Sequence, residues 1–398
     1  MKILQIANKV PYPPKDGGSI ATLAMTKGFK ELGHELTVMA MNTSKHPVKE
    51  DDIPQQIRDE IRFILVDVDT RICPVRAIKN LLFSKMPYNA ERFVTKPFGD
   101  RLAELLIEEE FDVIQLEGLY LAPYVPLIRE LSEACVCMRA HNIEHEIWDR
   151  TVKQRTGLKR SYTSIIARRL KKMELECLNS YDAMVPITGR DAENLKSMGC
   201  TLPMHVSPTG ISMADFKTYD KKPDFPSIFH IGALDWSPNQ EGLDWFLKKC
   251  WKDLHKKYPD LKFFIAGRNA PEPIRNIREP GVVFLGEVED AYEFMESKAV
   301  MIVPLLSGSG MRIKIIEGMA LGKSIVSTSI GAEGIAISHD QNIIIADEPQ
   351  KFRSGIEGLL DNFDNFEAIG NNAVSFIEEN YDNLSISKAL TAFYKELI

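Results

Sequence analysis

A chain of 398 residues, 44% hydrophobic and 26% charged, has the composition of a soluble globular protein. It exceeds the roughly 150–200 residues of one ordinary core, so two domains are expected. A net charge of −7 excludes a chain-wide nucleic-acid footprint, which needs an excess of positive charge. The opening run MKILQIANKV is too short for a signal peptide or a membrane span, and no other stretch approaches 18 unbroken apolar residues. The six cysteines contain no CxxC pair and are read as reduced thiols of a cytoplasmic protein.

The chain begins with a strand through Ile3, Leu4, Ile6 and Ala7, followed by a Pro- and Gly-rich loop ending in Asp16-Gly17-Gly18-Ser19. A helical pattern from Ile20 to Leu32 stops at Gly33, a C-cap position, and a second strand spans Glu35 to Met41. Short apolar runs at 61–66, 113–116, 135–140 and 183–187 predict further buried strands, with helical segments between them. The charged, Pro-containing stretch Lys217–Pro226 lacks periodicity and is the expected linker. After it the alternation resumes: strands at 227–232, 261–266, 282–285, 300–303, 324–327 and 342–346, and a helix over 240–257. Helices at 350–360 and 364–380 precede a last one at 385–398. Such alternation predicts an α/β chain with two parallel sheets, whose ligand-binding loops stand at the carboxyl ends of the strands.

Val303–Gly322, VPLLSGSGMRIKIIEGMALG, carries most of the functional inference. A strand ends at Pro304, a loop holds Ser307, Gly308, Ser309 and Gly310, and a helix is expected from about Met311 to Leu321. Small residues let backbone amides approach a ligand, and a helix start favours an anion. Arg312 and Lys314 would stand in the first turn, where the dipole disfavours cations; a bound diphosphate would explain them there. The plain alternative is a Gly-rich loop with solvated cations. Glu317 could accept hydrogen bonds from ribose hydroxyls or be a solvated helix residue.

This segment resembles the signature of the retaining glycosyltransferases of family four, which have the GT-B fold. Glu317, Gly318, Met319, Ala320 and Gly322 match its second half, and Gly310 matches the glycine after its first glutamate. Ser309 stands where that first glutamate belongs, and Ala233 and Pro238 stand where the family has an Arg and a Lys. A branch with a GxGxRxKxxE segment is the closer resemblance; it implies Arg312 and Lys314 as phosphate cations, with Arg268 of AGRN beside them. Gly17-Gly18 match the family's amino-terminal glycine loop, Arg139-Ala140-His141-Asn142 its cleft histidine, and Pro208-Thr209-Gly210-Ile211 its Pro-Asn-Gly-Val.

The resemblance implies two Rossmann-like domains with parallel sheets facing across a cleft and a last helix crossing back to the first domain. The expected division is 1–216 for the acceptor side, 217–226 for the linker, 227–382 for the sugar-nucleotide domain and 383–398 for the returning helix. The implied reaction moves a sugar from a nucleoside diphosphate sugar to a glycan or lipid-linked acceptor, as in polysaccharide assembly, with retention. It implies His141, Arg312 and Lys314 as catalytic, and Gly17, Gly18, Gly232, Arg268, Ser309, Gly310, Met311 and Glu317 as donor-binding. No metal or other cofactor is expected, and no nucleic acid partner.

The same residues admit other readings. A GT-B sugar-nucleotide epimerase or a catalytically silent sugar-nucleotide binder would keep the fold; Ser309 speaks for the silent binder. His141-Asn142-Ile143-Glu144-His145 matches the His-x-x-Glu-His zinc pattern. Asp67-Val68-Asp69 matches the Asp-x-Asp of metal-dependent transferases. A dinucleotide oxidoreductase would need G-x-G-x-x-G directly after the first strand, which DGGSIA does not supply. Residues 150–172 are rich in Lys and Arg without an acid, which reads as a solvated helix face or as a peripheral contact at the inner face of a membrane.

Overall fold

Short runs of Val, Ile, Leu and Met form strands here because each is covered on both faces by helices, as a parallel sheet requires. The computed structural model describes residues 1–14, 16–213, 216, 223–308 and 310–398, which divide into two units, Met1–Gly210 with Asn383–Ile398, and Ile211–Asp382.

The first unit runs β1 (Lys2–Ala7), α1 (Gly17–Glu31), β2 (Glu35–Thr43), α2 (Gln55–Glu60), β3 (Arg62–Val68), α3 (Pro74–Phe83), α4 (Tyr88–Glu91), α5 (Lys96–Glu108), β4 (Val113–Glu117), α6 (Val125–Leu131), β5 (Cys135–Ala140), α7 (Glu144–Lys153), α8 (Gly157–Cys177), β6 (Ala183–Pro186) and α9 (Gly189–Ser197). Its sheet is parallel, ordered β3-β2-β1-β4-β5-β6. In the second unit come β7 (Asp224–Ile231), α10 (Ser237–Phe246), α11 (Lys252–Lys257), β8 (Lys262–Ala266), α12 (Glu272–Arg275), β9 (Val282–Gly286), α13 (Ala291–Glu296), β10 (Lys298–Val303), α14 (Ile313–Ala320), β11 (Ser324–Ser327), β12 (Ile344–Ile345), α15 (Pro349–Asp361) and α16 (Phe363–Asn380). Its parallel sheet is ordered β12-β11-β10-β7-β8-β9. Read from its own first strand, it repeats the order of the first sheet.

In both sheets the order reverses beside the first strand, between β1 and β4 and between β7 and β10. A crevice opens at the carboxyl ends of such strand pairs, which is where ligands bind in open α/β sheets. Cores lie on both faces of each sheet: Leu4, Ile6, Phe98 and Ile114 on one side of the first and Ile3, Phe29, Val38 and Val113 on the other. Trp251, Phe263, Phe246 and Phe352 fill one side of the second.

Helix α17 (Asn383–Lys395) returns the chain to the first unit and lies on α1. A Cβ on Gly28 of α1 would fall 2.0 Å from Ser387 Oγ, so only glycine permits this approach. Asn383 Nδ2 donates to the Ala24 carbonyl at 2.7 Å, and Tyr394 OH donates to buried Gln115 Oε1 at 2.5 Å.

Several sequence expectations shift. The described residues divide at Gly210–Ile211, ahead of the expected linker; residues 217–222 of that linker lie outside the described residues, and its last part already belongs to β7. Helix α1 starts at Gly17 rather than Ile20, because Asp16 caps it by accepting from the Ser19 amide at 3.0 Å. Helix α14 starts at Ile313 rather than Met311; Arg312 is its N-cap, with extended backbone, while Lys314 is inside the first turn. The expected helix over 240–257 begins at Ser237 and passes through a π turn at Leu247–Trp251.

Candidate active site

The loops after β7 and β10 build a candidate site in the second unit. β7 ends at Ile231, and Gly232 follows; a Cβ there would lie 3.0 Å from Asn239 Nδ2 and 3.3 Å from Lys314 Nζ. Lys314 Nζ donates to the Ile231 carbonyl and to Asn239 Oδ1, both at 3.1 Å. Asn239 is itself oriented by donating from Nδ2 to the Ala233 carbonyl at 2.8 Å. Lys314 is thus an ammonium held over the carboxyl end of β7 by neutral acceptors. Desolvation, with the nearby Arg312 charge adding to it, pushes Lys314 down to about 7.

Arg312 is buried, and its guanidinium lies over the Trp236 ring, 5.1 Å from the centroid. Its Nη1 donates to the Gly310 carbonyl at 2.6 Å. Gly308 and Gly310 have φ of 116° and 82°, left-handed conformations that favour glycine. A Cβ on Gly308 would also meet Arg312 Nη2 at 2.6 Å and Trp236 at 3.0 Å. The loop is therefore moulded around Arg312. Ser309, expected to touch the donor, lies outside the described residues. Met311 packs against the core containing Ile315 and Met319.

Glu317 Oε1 accepts from Tyr292 OH of α13 at 3.0 Å. Burial pushes its carboxyl upward, and the Tyr292 hydroxyl offsets part of that. Arg268 stands just past β8, and its carbonyl accepts from the Leu234 amide at 2.9 Å. Gly267 before it has φ 149°, and a Cβ there would fall 1.8 Å from the Gly232 carbonyl oxygen. The structure therefore brings Gly232, Arg312, Lys314 and Asn239 around one loop. Asn239 and Tyr292 were not anticipated from sequence; nothing separates either from an ordinary helix residue until the fold brings α10 and α13 to α14.

The first unit carries a candidate site of its own. A pocket of about 220 Å³ is bounded by Lys9, Gly18, Glu117, Tyr120, His141 and Glu144 among others. Gly18 stands in the first turn of α1, where a Cβ would meet Lys9 Nζ at 3.1 Å; Gly17 precedes it, exposed. Lys9 pairs with the capping Asp16. His141 follows β5, and its Nε2 lies 2.6 Å from Glu117 Oε2 at the end of β4.

Glu117 is buried among donors: Gln5 Nε2 at 3.2 Å, Thr22 Oγ1 at 3.2 Å, Arg139 Nη1 at 3.4 Å, and Gln115 Nε2. Burial alone would raise its carboxyl; the Arg139 guanidinium, then His141 and Gln115, reverse this and bring it to about 2. Glu144 differs. Burial pushes it up to about 7, a hydrogen bond from Tyr120 OH at 2.9 Å opposes this, and the neighbouring Glu174 charge adds to it. One pocket thus holds two carboxyls whose surroundings drive them apart, as acid–base sites do. The expected strand at 113–116 stopped short of Glu117; two polar residues, Gln115 and Glu117, in an otherwise apolar strand were the available signal.

His141 and His145 do not share a helix face. His141 precedes α7 and engages Glu117, whereas His145 lies in α7 with Nδ1 2.6 Å from Glu174 Oε2. Among the described residues no group of three or more His, Cys, Asp or Glu is disposed around a metal position. In the Asp-x-Asp stretch, Asp67 accepts from Asn42 at 2.8 Å, and Asp69 is paired with Arg71 at 2.8 Å. No helix of the described residues is long and apolar enough to cross a membrane.

Residues 225–362 match the family model described as Glycosyl transferases group 1. Over 410 aligned residues, 99% of each chain, the sequence is 25% identical to an uncharacterized 44.6 kDa protein in the cps region of Klebsiella pneumoniae. It is 23% identical over 263 residues, 63% of this chain and 62% of the other, to the uncharacterized glycosyltransferase MJ1069 of Methanocaldococcus jannaschii. Its fold is similar to that of Anabaena Alr3699/HepE, crystallised with UDP-glucose, with a TM-score of 0.70 at 12% identity over 100% of both chains. Two six-stranded parallel sheets of one strand order, and a family match over most of the second, make this chain a glycosyltransferase of the GT-B fold.

Proposed function

We propose that this enzyme transfers a sugar from a nucleoside diphosphate sugar to a glycan or lipid-linked acceptor, with retention of anomeric configuration and without a metal ion. The observation that carries the reading is Lys314, a desolvated ammonium beside Arg312 and the α14 helix start, held among the described residues by the neutral Ile231 carbonyl and Asn239 Oδ1. A diphosphate is a partner that would restore its charge. As the bond from the anomeric carbon to the phosphate oxygen breaks, its electron pair stays on the diphosphate. In this reading Lys314, Arg312 and the start of α14 stabilise that developing charge. The acceptor oxygen bonds to the anomeric carbon on the same face, and its proton passes to the leaving phosphate.

Glu317 binds the nucleoside ribose in this reading, and Gly232, Arg268, Ser309, Gly310 and Met311 line the donor, with Gly17 and Gly18 near its phosphates. His141, held by Glu117, hydrogen-bonds the reacting sugar. The UDP-glucose in the crystals of Alr3699/HepE supports a sugar nucleotide as donor, and the relative named for a cps region supports a role in polysaccharide assembly. The enzyme works in the cytoplasm, with the basic 150–172 segment toward the inner face of the membrane.

The test is a panel of nucleotide sugars, with binding followed calorimetrically and products by NMR. Wild type should bind one donor and give a product of unchanged anomeric configuration, and Arg312→Ala/Lys314→Ala should lose most binding and turnover. Normal kinetics in the double variant would reject the assignment, as would an inverted product or an epimerised donor.

A further inference from the structure

Helix α3 is amphipathic the wrong way round. A surface helix ordinarily turns its apolar stripe to the core and its polar residues to water. In α3, PVRAIKNLLF, the buried polar residue is Asn80, while Val75, Ile78 and Leu82 form an outward i, i+3, i+7 stripe. With Ile72 and Phe83 at its two ends, these five side chains are each between 59% and 81% exposed.

The inner face is bolted down by polar contacts. Asn80 Nδ2 donates to the Met86 carbonyl at 2.9 Å and to Glu91 Oε2 at 2.7 Å. Arg169 of α8 donates to the Asn80 carbonyl at 3.1 Å and to the Leu81 carbonyl at 2.7 Å. The apolar stripe is therefore held outward by the fold; the helix cannot roll it inward without breaking these bonds. Exposed contiguous apolar surface of this kind marks an interaction site.

The charge around the stripe indicates what covers it. From Thr70 to Ala90 there is no Asp or Glu, but Arg71, Arg76, Lys79 and Lys85 are present, although the chain as a whole carries −7. All four are exposed. Arg169 ties α3 to α8, whose Lys159, Arg160, Arg168, Lys171 and Lys172 are also exposed. Leu158, 91% exposed, stands at the start of α8. An apolar ridge bordered by cations, with flanking Asp69 paired to Arg71 and Glu91 bonded to Asn80, fits a surface that is apolar beneath an anionic layer. Long Lys and Arg side chains reach headgroups while Ile, Leu and Phe enter the acyl boundary.

We infer that α3 is an interfacial membrane anchor, inserting Ile72, Val75, Ile78, Leu82 and Phe83 into an anionic lipid surface, with Arg76, Lys79 and the α8 cations on the headgroups. The inference is independent of the donor chemistry above, and extends the basic 150–172 segment by a part that enters the bilayer rather than resting on it.

The test is flotation of the full chain with vesicles of phosphatidylcholine alone and with about one-third phosphatidylglycerol, at about 20 mM and about 500 mM salt. Wild type should float with the anionic vesicles at low salt, at least tenfold above the neutral ones. Ile78→Asp/Leu82→Asp should lose at least tenfold of that binding at both salt levels. Arg76→Ala/Lys79→Ala should lose roughly tenfold at low salt only. Unchanged melting temperature and UDP binding identify the variants as folded; should the Asp variant not fold, Phe83→Ser at the helix end reads the same insertion. No flotation of wild type at low salt overturns the proposal, and so does wild-type flotation by the folded apolar variants. A concentration-dependent dimer abolished by Ile78→Asp/Leu82→Asp, without vesicle binding, also overturns it and assigns the stripe to a second copy.

Discussion

His141 Nε2 lies 2.6 Å from Glu117 Oε2, and the same oxygen is 3.4 Å from Arg139 Nη1. One buried carboxylate thus orients the histidine of the pocket and balances an arginine that is almost wholly buried. It is also joined through Gln115 to Tyr394 of the returning helix α17. A residue for chemistry and the docking of the last helix share one polar network.

This network sets an acid limit on stability. Glu117 is brought down from 4.5 to about 2, so its contribution is fully present above about pH 4.5 and is lost as pH falls through about 2. The difference corresponds to something on the order of 3 kcal/mol. Urea denaturation between pH 7 and 2 should show wild type losing stability in that window. Glu117→Gln should be less stable at neutral pH by about 3–5 kcal/mol, because Arg139 is left buried without its counter-charge, and should show a flatter acid profile. His141→Ala should leave stability within about 1 kcal/mol while lowering turnover roughly a hundredfold.

Glu144 predicts the opposite sign. Its carboxyl is raised from 4.5 to about 7, so folding favours the protonated form and stability falls as pH rises from about 4.5 to 7. Glu144→Gln keeps a neutral partner for Tyr120 and removes that cost. Its melting temperature at pH 8 should exceed that of wild type, by an amount equivalent to about 1–3 kcal/mol, and the two proteins should converge near pH 4.5. Thermal denaturation at both pH values checks this; an unchanged or lower value at pH 8 would contradict it.

Lys314 predicts proton uptake on donor binding. With the free enzyme's ammonium near 7, a diphosphate must recruit the proton above that pH. UDP affinity should fall between pH 7 and 9 by up to about tenfold per pH unit. In Lys314→Met, affinity should be weaker at pH 7 and nearly independent of pH over that range. Calorimetry in buffers of different ionisation enthalpy reads the proton directly.

The contact of α17 with α1 depends on the absence of a side chain at Gly28. Gly28→Ala should cost about 1–3 kcal/mol, since the added carbon would stand 2.0 Å from Ser387 Oγ. Adding Ser387→Gly removes the nearest clashing group and leaves Asn383 Nδ2 at 2.9 Å, so the double variant should recover part of the lost stability despite the lower helix propensity of glycine. Strictly additive losses in chemical denaturation would argue against this close approach.

The candidate site of the second unit was the more legible from sequence, and it was legible for a local reason. The turn at 308–310, Arg312, Lys314 and Glu317 are neighbours in the chain, so their types and spacing alone suggested an anion at a helix start. Even there, Arg312 proved to be a cap stacked on Trp236 rather than a residue of the first turn. Ring stacking across the 236–312 separation leaves no mark in a local pattern. The network of Gln5, Thr22, Gln115, Glu117, Arg139 and His141 was almost invisible, because its members come from β1, α1, β4, β5 and the loop after β5.

By itself the sequence determined the alternation of strands and helices, the two-sheet α/β class, the glycine turn and its cations, because each rests on periodicity or on contacts between chain neighbours. Tertiary structure alone decided which carboxylates are driven down or up, which cation is pushed toward neutrality, and that α3 turns its apolar stripe outward. Those properties depend on desolvation and on partners distant in sequence, and these exist only once the elements have packed.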